Sequence, residues 1–502
     1  MEGLFGLIHK STRKYPGRVF IRSTDRIWSY SQVYTMSQII SRHILGCGIK
    51  KGDRVVVFCD NSVQYAAAFF GIMRVNAVAV PVNTSKMIES LLYIMEKCSP
   101  RLIITCDSSV DKLIRIGDRL DAGILNIDDL NICSTLGFVD GVDAGQLPAV
   151  DGCDPAVILF TSGTTAHPKG VTLTHDNLIA NTCAIIDYLN LTCDDSVLMT
   201  LPFTYSYGNS ILLTHAYAGA SLVIENSSTY PFKVLEGIKK YGVSGFSTVG
   251  SYINLMLKYI KNSDTAVNFF ESLRYITFAG ESTNIEDIMF IDRNYPDIKI
   301  FVMYGQTEAS ARLSYLSPHL LHEKTGSVGK GLCNVMLKVV DESGNAVKPG
   351  EVGEIIAYGP NIMKGYWEDP AATEEVLRDD WLYTGDYATV DEDGYIYIKG
   401  RRSDIIKFMG HRISPVEIEN VINSCSHVKE SAVVEGTLDM MPVIKAFIVL
   451  EKECALEEIR KYVNTKLPMY MRPQIFEVVE QLPRTDSGKI RRSVLRSRKC
   501  AE

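Results

Sequence analysis

Apolar residues in roughly the first 300 positions fall in short continuous runs, separated by stretches of helical period. "RVVVFC" (Arg54–Cys59) leads into a helix-like segment from Ser62, then "AVAVPV" (Ala77–Val82), another helical stretch and "RLIITC" (Arg101–Cys106). The alternation resumes with "AVILF" (Ala156–Phe160), "SVLMTL" (Ser196–Leu201), "ASLVIE" (Ala220–Glu225), "VSGFSTV" (Val243–Val249), "LRYITFAG" (Leu273–Gly280) and "KIFVMYG" (Lys299–Gly305). Apolar runs of this length alternating with helices predict largely parallel sheets covered by helices. Between about Val328 and Lys399 short strands and turn signals take over ("DESGNAVKPGEVGE", "DEDGYIYIKG"), predicting a β-rich subdomain. A boundary falls near "KGRRSDIIK" (Lys399–Lys407), followed by about 100 residues with their own helix and strand periods, enough for a small domain. The expected fold is α/β. A large N-terminal domain, residues 1–402, combines parallel-sheet layers with a β-rich subdomain, and a small α+β C-terminal domain follows at residues 403–502. No internal repeat or low-complexity segment interrupts the chain.

The longest apolar stretch, Tyr65–Val82, is broken by Arg74 and Asn76 and reads as a buried helix followed by a strand. It falls short of the roughly 20 apolar residues a membrane span needs. The N-terminus, "MEGLFGLIHKSTRK", places an acid first and its basic residues after the apolar patch, the wrong order for a secretory signal. The composition, 46% apolar and 22% charged over 502 residues, suits a globular chain with a sizeable core. A formal charge of −7 argues against a nucleic-acid partner. Twelve cysteines without a C-x-x-C pair read as buried, reduced thiols. Together these features predict a soluble cytoplasmic protein.

The candidate chemistry begins at "LFTSGTTAHPKGV" (Leu159–Val171), where an apolar run breaks into small hydroxyl residues. Backbone N–H groups there can converge on an anion; the hydroxyls of Thr161, Ser162, Thr164 and Thr165 add donors, Gly163 adds freedom and Lys169 adds charge. A Walker A loop fails at two positions, Pro168 and Gly170. An ordinary Ser/Thr/Gly turn remains the alternative. Two further segments, "FAGES" (Phe278–Ser282) and "MYGQTEAS" (Met303–Ser310), each follow a strand-like run, and open α/β sheets bind ligands beyond the carboxyl ends of their strands. Thr307 can donate to a phosphate, Glu308 offers a hard oxygen to Mg²⁺, and Tyr304 offers a flat face to a base. Taken singly, Glu308 also reads as a helix-start acid and Tyr304 as core. Asp386, placed in a tight turn 15 residues before Arg401, can share ribose hydroxyls with it, or the two form a surface ion pair. Lys489 follows a Pro/Asp/Ser/Gly loop in "LPRTDSGKIRR", a segment that also reads as a solvated basic tail.

In this order the segments "LFTSGTTAHPKGV", "YGQTE", "YTGD", "GRRSDIIKFMGHRISPVEIE" and "PRTDSGKIRR" resemble the AMP-forming adenylating enzymes: acyl-CoA synthetases, adenylation domains and luciferases. The resemblance covers nearly the whole chain and implies an acid–thiol ligase. Such an enzyme activates a carboxylic acid as its acyl-adenylate with ATP and Mg²⁺, releases pyrophosphate, and transfers the acyl group to a thiol. The resemblance places the β- and γ-phosphates in the loop Thr161–Gly170, with Gly280, Glu281, Ser282 and Gly305 completing the ATP site. It sets Thr307 on the α-phosphate, Glu308 on Mg²⁺, Tyr304 on adenine, and Asp386 and Arg401 on ribose. Lys489 would bridge the substrate carboxylate and the α-phosphate. The C-terminal domain would be mobile, rotating about a hinge near Ser403 or Asp404 to withdraw Lys489 and bring Met409–Arg412, with Gly410, His411 and Arg412, to the pantetheine path. Ala166 stands where the family loop usually has Gly.

"LPFTYSYGNS" (Leu201–Ser210) resembles the segment that enters the acyl pocket, with Ser206 where amino-acid activators usually carry Asp and aryl-acid activators Asn. A buried ammonium without a counter-charge is costly, so a neutral acyl group is expected. Gly250 and Gly280 leave room in the wall; Tyr205 and Tyr207 either close the pocket or pack in the core. The expected acceptor is CoA, with the phosphopantetheine of a carrier protein as the alternative. A non-catalytic nucleotide-binding paralogue is a remote third reading.

Overall fold

The computed structural model describes residues 3–119, 121–130, 147–161, 168–225, 230–262, 268–281, 283–402, 404–408, 411–438, 441–452, 454–484 and 490–498. The chain forms two compact units. Residues up to 161, 168–336 and 357–382 make the larger, and residues 337–356 and 383 onward the smaller.

Two sheets organise the larger unit. In the nine-stranded sheet, six neighbouring strands run parallel in the order Lys299–Tyr304, Tyr275–Phe278, Gly245–Thr248, Ser196–Met199, Ser221–Ile224 and Val19–Arg22. The seven-stranded sheet has a parallel core in the order Pro155–Thr161, Val78–Pro81, Arg54–Phe58, Leu102–Thr105 and Gly123–Asn126. Its other edge adds Lys169–Thr174 and then Gly365–Tyr366, both antiparallel. The central strands are buried on both faces, which is why they appear in the sequence as unbroken apolar runs rather than alternating ones.

The helices start where the local chemistry starts them. Ser62 accepts from Tyr65 N before the fully packed helix Val63–Arg74, and Thr174 and Asn177 form a reciprocal capping box before His175–Leu189. Val63–Arg74 followed by Val78–Pro81 is the predicted buried helix and strand. Among the described residues no helix is long and apolar enough to cross a membrane.

From Tyr383 on, the strand Trp381–Val390 lies in the smaller unit, where it pairs antiparallel with Ile396–Arg401. That unit also contains the hairpin Val428–Leu438/Met441–Leu450, joined in parallel by Ile475–Val478. The helices Pro415–Asn423 and Leu456–Lys466 bury Ile418, Ile422, Ile459 and Val463 against Val433, Ile444 and Ile448 in one apolar core. The expectation that the cysteines are buried needs correction. Cys47, Cys153 and Cys333 are exposed at a helix end or in turns, and Cys183 is exposed on the outer side of the helix His175–Leu189, where a small polarizable side chain costs little to solvate. All the cysteines among the described residues are free thiols.

Candidate active site

Four adjacent parallel strands of the larger sheet end on one edge, and every predicted site segment but one of that unit leaves from there. Ser196–Met199 leads to Tyr205–Tyr207, Gly245–Thr248 to Gly250, Tyr275–Phe278 to Gly280 and Glu281, and Lys299–Tyr304 to Gly305, Thr307 and Glu308. The turn after Tyr304 is tight enough that a Cβ on Gly305 would lie 1.9 Å from the Ala311 carbonyl oxygen, so glycine is required there. A short 3₁₀ turn, Thr307–Ala309, follows. Ser310 (φ 54°) and Ala311 (φ 95°) then occupy the left-handed region, a conformation that persists only when its surroundings hold it.

The restraints are buried. Asn361 Nδ2 donates to the carbonyls of Ala309 (3.1 Å) and Arg312 (2.9 Å), Asn181 Nδ2 donates to Arg312 O (2.8 Å), and Ser310 Oγ donates to Asn361 O (2.8 Å). Met363 N reaches Glu308 O at 2.9 Å. The turn is therefore fixed from two sides before any ligand arrives. Thr307 Oγ1 lies 3.3 Å from Ser206 Oγ, which brings a candidate phosphate donor beside a candidate acyl-pocket residue.

The phosphate-loop flank enters from the seven-stranded sheet. Thr161 and Lys169 are cross-strand partners, and Thr161 Oγ1 donates to Lys169 O at 3.4 Å. Residues Ser162, Gly163, Thr164 and Thr165, together with Ala166, lie outside the described residues. Tyr366 pairs with Val171 in the next strand; its hydroxyl donates to Glu308 Oε1 at 2.9 Å, and Lys169 Nζ sits 4.8 Å from its ring centroid. One tyrosine thus touches both the candidate metal carboxylate and the candidate phosphate cation. The hydrogen bond occupies one carboxylate oxygen, and Oε2 takes no hydrogen bond among the described residues, so it can serve as a hard-oxygen ligand to a cation such as Mg²⁺.

On the acyl side, Tyr205 precedes the helix Ser206–Ala218, whose first residue is Ser206. Tyr207 turns inward. Its hydroxyl meets Thr277 O at 3.1 Å and Thr277 Oγ1 at 2.7 Å, its ring carries the Arg312 guanidinium at 4.9 Å, and burial pushes its phenol pKa up. Gly250 is buried at the start of its helix. Gly280 is exposed with φ +90°, and Glu281 accepts from Ser251 Oγ at 2.9 Å. Ser282 lies outside the described residues. Tyr304 is half-buried at the end of its strand.

In the smaller unit Asp386 and Arg401 are cross-strand partners, with Arg401 Nε 2.9 Å from Asp386 Oδ1. Asp386 lies within a ten-residue strand rather than in a tight turn. The backbone freedom that suggested a turn belongs to Gly385, at φ +71°. His411 and Arg412 belong to the strand His411–Ile413, paired with Ile406–Phe408. Ser403, Met409, Gly410 and Lys489 lie outside the described residues. Asp404 accepts from Arg496 Nη2 at 2.9 Å.

Tyr366, Asn361 and Arg312 escaped the sequence reading. Tyr366 and Asn361 sit in "GPNIMKGYW", which has the look of an ordinary turn. A polar Asn beside a Gly-Pro break was the only available signal.

A turn at the carboxyl edge of a parallel sheet, with an acid, a hydroxyl and a cation brought near it, fits an adenylate-forming ligase of the acid–thiol class. The profile of the AMP-binding enzyme family matches residues 8–367, and that of the AMP-binding enzyme C-terminal domain matches residues 417–489; the chain belongs to this family. It is 29% identical to a 4-coumarate–CoA ligase from Vanilla planifolia, over 95% of this chain and 90% of that one. It is 28% identical to a long-chain-fatty-acid–CoA ligase from Salmonella typhimurium, over 99% and 94%. Among solved structures it resembles the o-succinylbenzoate CoA synthetase from Bacillus subtilis at 26% identity. The complex with the acyl-adenylate intermediate aligns with TM-score 0.88 over 99% of both chains, and that with ATP and magnesium ion with TM-score 0.86 over 97% and 98%.

Proposed function

We propose that this protein is an ATP-dependent, AMP-forming ligase that joins a carboxylic acid without an α-ammonium group to the thiol of CoA. The observation that carries the reading is the array Lys169–Tyr366–Glu308, with Thr307 next in the chain and touching Ser206. The array links a cation, a carboxylate and a hydroxyl donor of the kinds that phosphate and metal binding need, with the hydroxyl beside Ser206. The substrate carboxylate attacks the α-phosphorus of ATP and pyrophosphate leaves. The thiol then attacks the acyl carbonyl and AMP leaves. Glu308 would hold Mg²⁺, which would supply charge neutralisation at the phosphate oxygens. Thr307 donates to the α-phosphate, the loop Thr161–Gly170 receives the β- and γ-phosphates, and Lys489 offsets repulsion between the two reacting anions. Asp386 and Arg401 hold the ribose. Residues 403–502 act as the mobile domain, exchanging Lys489 for Gly410, His411 and Arg412 between the half-reactions.

Ser206, Gly250 and Gly280 offer an ammonium no counter-charge, and the acids in the relatives' names are not amino acids. Carboxylate-dependent ATP–pyrophosphate exchange across short, medium, aryl and amino acids tests the reading, followed by thioester formation with CoA or a phosphopantetheinylated carrier. Exchange with a neutral acid and thioester on CoA are expected. Exchange with amino acids only would overturn the pocket assignment, and thioester on a carrier alone would overturn the acceptor. No exchange with any acid, in the native protein and in Ala166→Gly alike, would overturn adenylation itself.

A further inference from the structure

The smaller unit gathers four metal-donor side chains that ligation chemistry does not use. In its hairpin Val428 pairs with Leu450, and His427 O accepts from Glu451 N at 2.9 Å, so the chain entering the first strand runs beside the chain leaving the second. Cys425 and His427 stand on the entering flank, just after the helix Pro415–Asn423. Cys454 stands on the leaving flank, and Glu458 lies four residues on, in the first turn of the helix Leu456–Lys466. One donor atom each from His427, Cys454 and Glu458 lie within 4.8 Å of one another. Cys454 Sγ is 3.2 Å from Glu458 Oε2, and Cys425 Sγ is 3.9 Å from His427 Nδ1.

Tetrahedral zinc, with Zn–S of about 2.3 Å and Zn–N of about 2.0 Å, sets its ligand atoms roughly 3.5 Å apart. His427, Cys454 and Glu458 are thus within small side-chain rotations of closing on one ion, and Cys425, in contact with His427, stands next to that trio. Their backbones are well anchored: Cys425 is buried in the apolar core of the unit, and Cys454 packs against the same core. Cys454 lies just before the N-cap residue Ala455, and its Sγ contact with Glu458 brings the two side chains together at the helix start.

We propose that Cys425, His427, Cys454 and Glu458 form a closed, four-ligand site for a d¹⁰ divalent cation of the zinc class. Two thiolates and an imidazole select a borderline-soft ion over Mg²⁺ or Ca²⁺. With all four positions filled by protein the ion has no open coordination, so its role is structural. It ties the ends of both helices to the hairpin. Each thiol releases its proton to solvent on binding, so affinity rises with pH.

The full-length reduced protein, incubated with Zn²⁺ or Co²⁺ and freed of excess metal, gives the test through metal content and the visible spectrum of the Co²⁺ form. About one retained ion per chain is expected, with tetrahedral bands and thiolate charge transfer in the cobalt form. Cys454→Ser and His427→Ala should lose that ion, whereas Cys193→Ser, a cysteine of the larger unit, should keep it. Because Cys425 is buried, its replacement risks unfolding. Glu458→Gln changes an exposed helix position instead, and should weaken retention against a chelator roughly tenfold or more while leaving the circular dichroism unchanged. A native protein that retains no ion, or the same retention in the native protein and in all three ligand variants, would overturn the site.

Discussion

Tyr366 shows how much a single uncharged side chain can organise. Its hydroxyl holds Glu308 Oε1 and its ring faces Lys169, so the acid and the cation are positioned by one residue. Tyr366→Phe keeps the ring and deletes the hydrogen bond. A hydrogen bond to a charged group contributes about 1.5–3 kcal/mol, so the Mg²⁺ concentration for half-maximal pyrophosphate exchange should rise about tenfold or more. The maximal rate at saturating Mg²⁺ should change little, because the carboxylate itself remains. A Mg²⁺ titration that superimposes on the native one would show that Glu308 is held by other means. Thr307 and Glu308 stand out in the sequence by their place after a strand-like run and by the family resemblance, since Glu308 taken singly also reads as a helix-start acid. Tyr366 does not, because its contact depends on Gly365–Tyr366 adding to the edge strand Lys169–Thr174, a pairing no local pattern encodes. The partnership of Asp386 with Arg401 was likewise legible from residue types, while the strand that carries Asp386 was obscured by the adjacent Gly385.

Elements were the easiest level to read. Every apolar run singled out in the first 300 positions is a strand, because strands buried on both faces cannot include polar residues without partners. What periodicity hides is the polar fastening between elements. His175, the first residue of its helix, is fully buried. Its Nδ1 accepts from Leu4 N at 3.1 Å, and its Nε2 faces Asn76 Oδ1 at 3.1 Å. The imidazole must therefore stay neutral, and burial holds its pKa down at about 4 against an ordinary 6.5. His215, buried in the helix Ser206–Ala218, is held at about 4 for the same reason. The unfolded chain takes up these protons below pH 6.5 and the folded chain does not until near 4, so stability is full above 6.5 and declines as pH falls toward 4. Each histidine contributes a slope of up to about 1.4 kcal/mol per pH unit in that window. Thermal midpoints measured from pH 7.5 downward should fall accordingly. In His175→Gln the fall should be shallower, whatever the variant's stability at neutral pH. An unchanged slope would mean His175 is protonated in the folded state.

At the scale of the whole molecule the residues proposed for the reaction fall in both units. Thr307, Glu308 and Lys169 belong to the larger, whereas Asp386 and Arg401 group with the residues that follow position 403. A sequence boundary at 403 did not reveal this, because the strand pattern continues through 383–402 with no break in composition. Asp386 has its ion-pair partner within its own unit, so the pair proposed for ribose is assembled without residues of the larger unit. Lys489 is proposed to act in only one of the two half-reactions, and that distinguishes a charge-stabilising role from a structural one. Lys489→Ala should slow acid-dependent pyrophosphate exchange by a factor of about 100–1,000, the usual loss when one preorganised donor is removed from a developing anion. The same variant supplied with preformed acyl-adenylate and CoA should make thioester within a few-fold of the native rate, with ATP binding and the melting profile preserved. An equal fall in both half-reactions would mean that Lys489 supports the fold or the thiol path. Native exchange in the variant would mean that the two reacting anions are brought together without it. Only a selective loss fits a lysine that is present for the first reaction and withdrawn for the second.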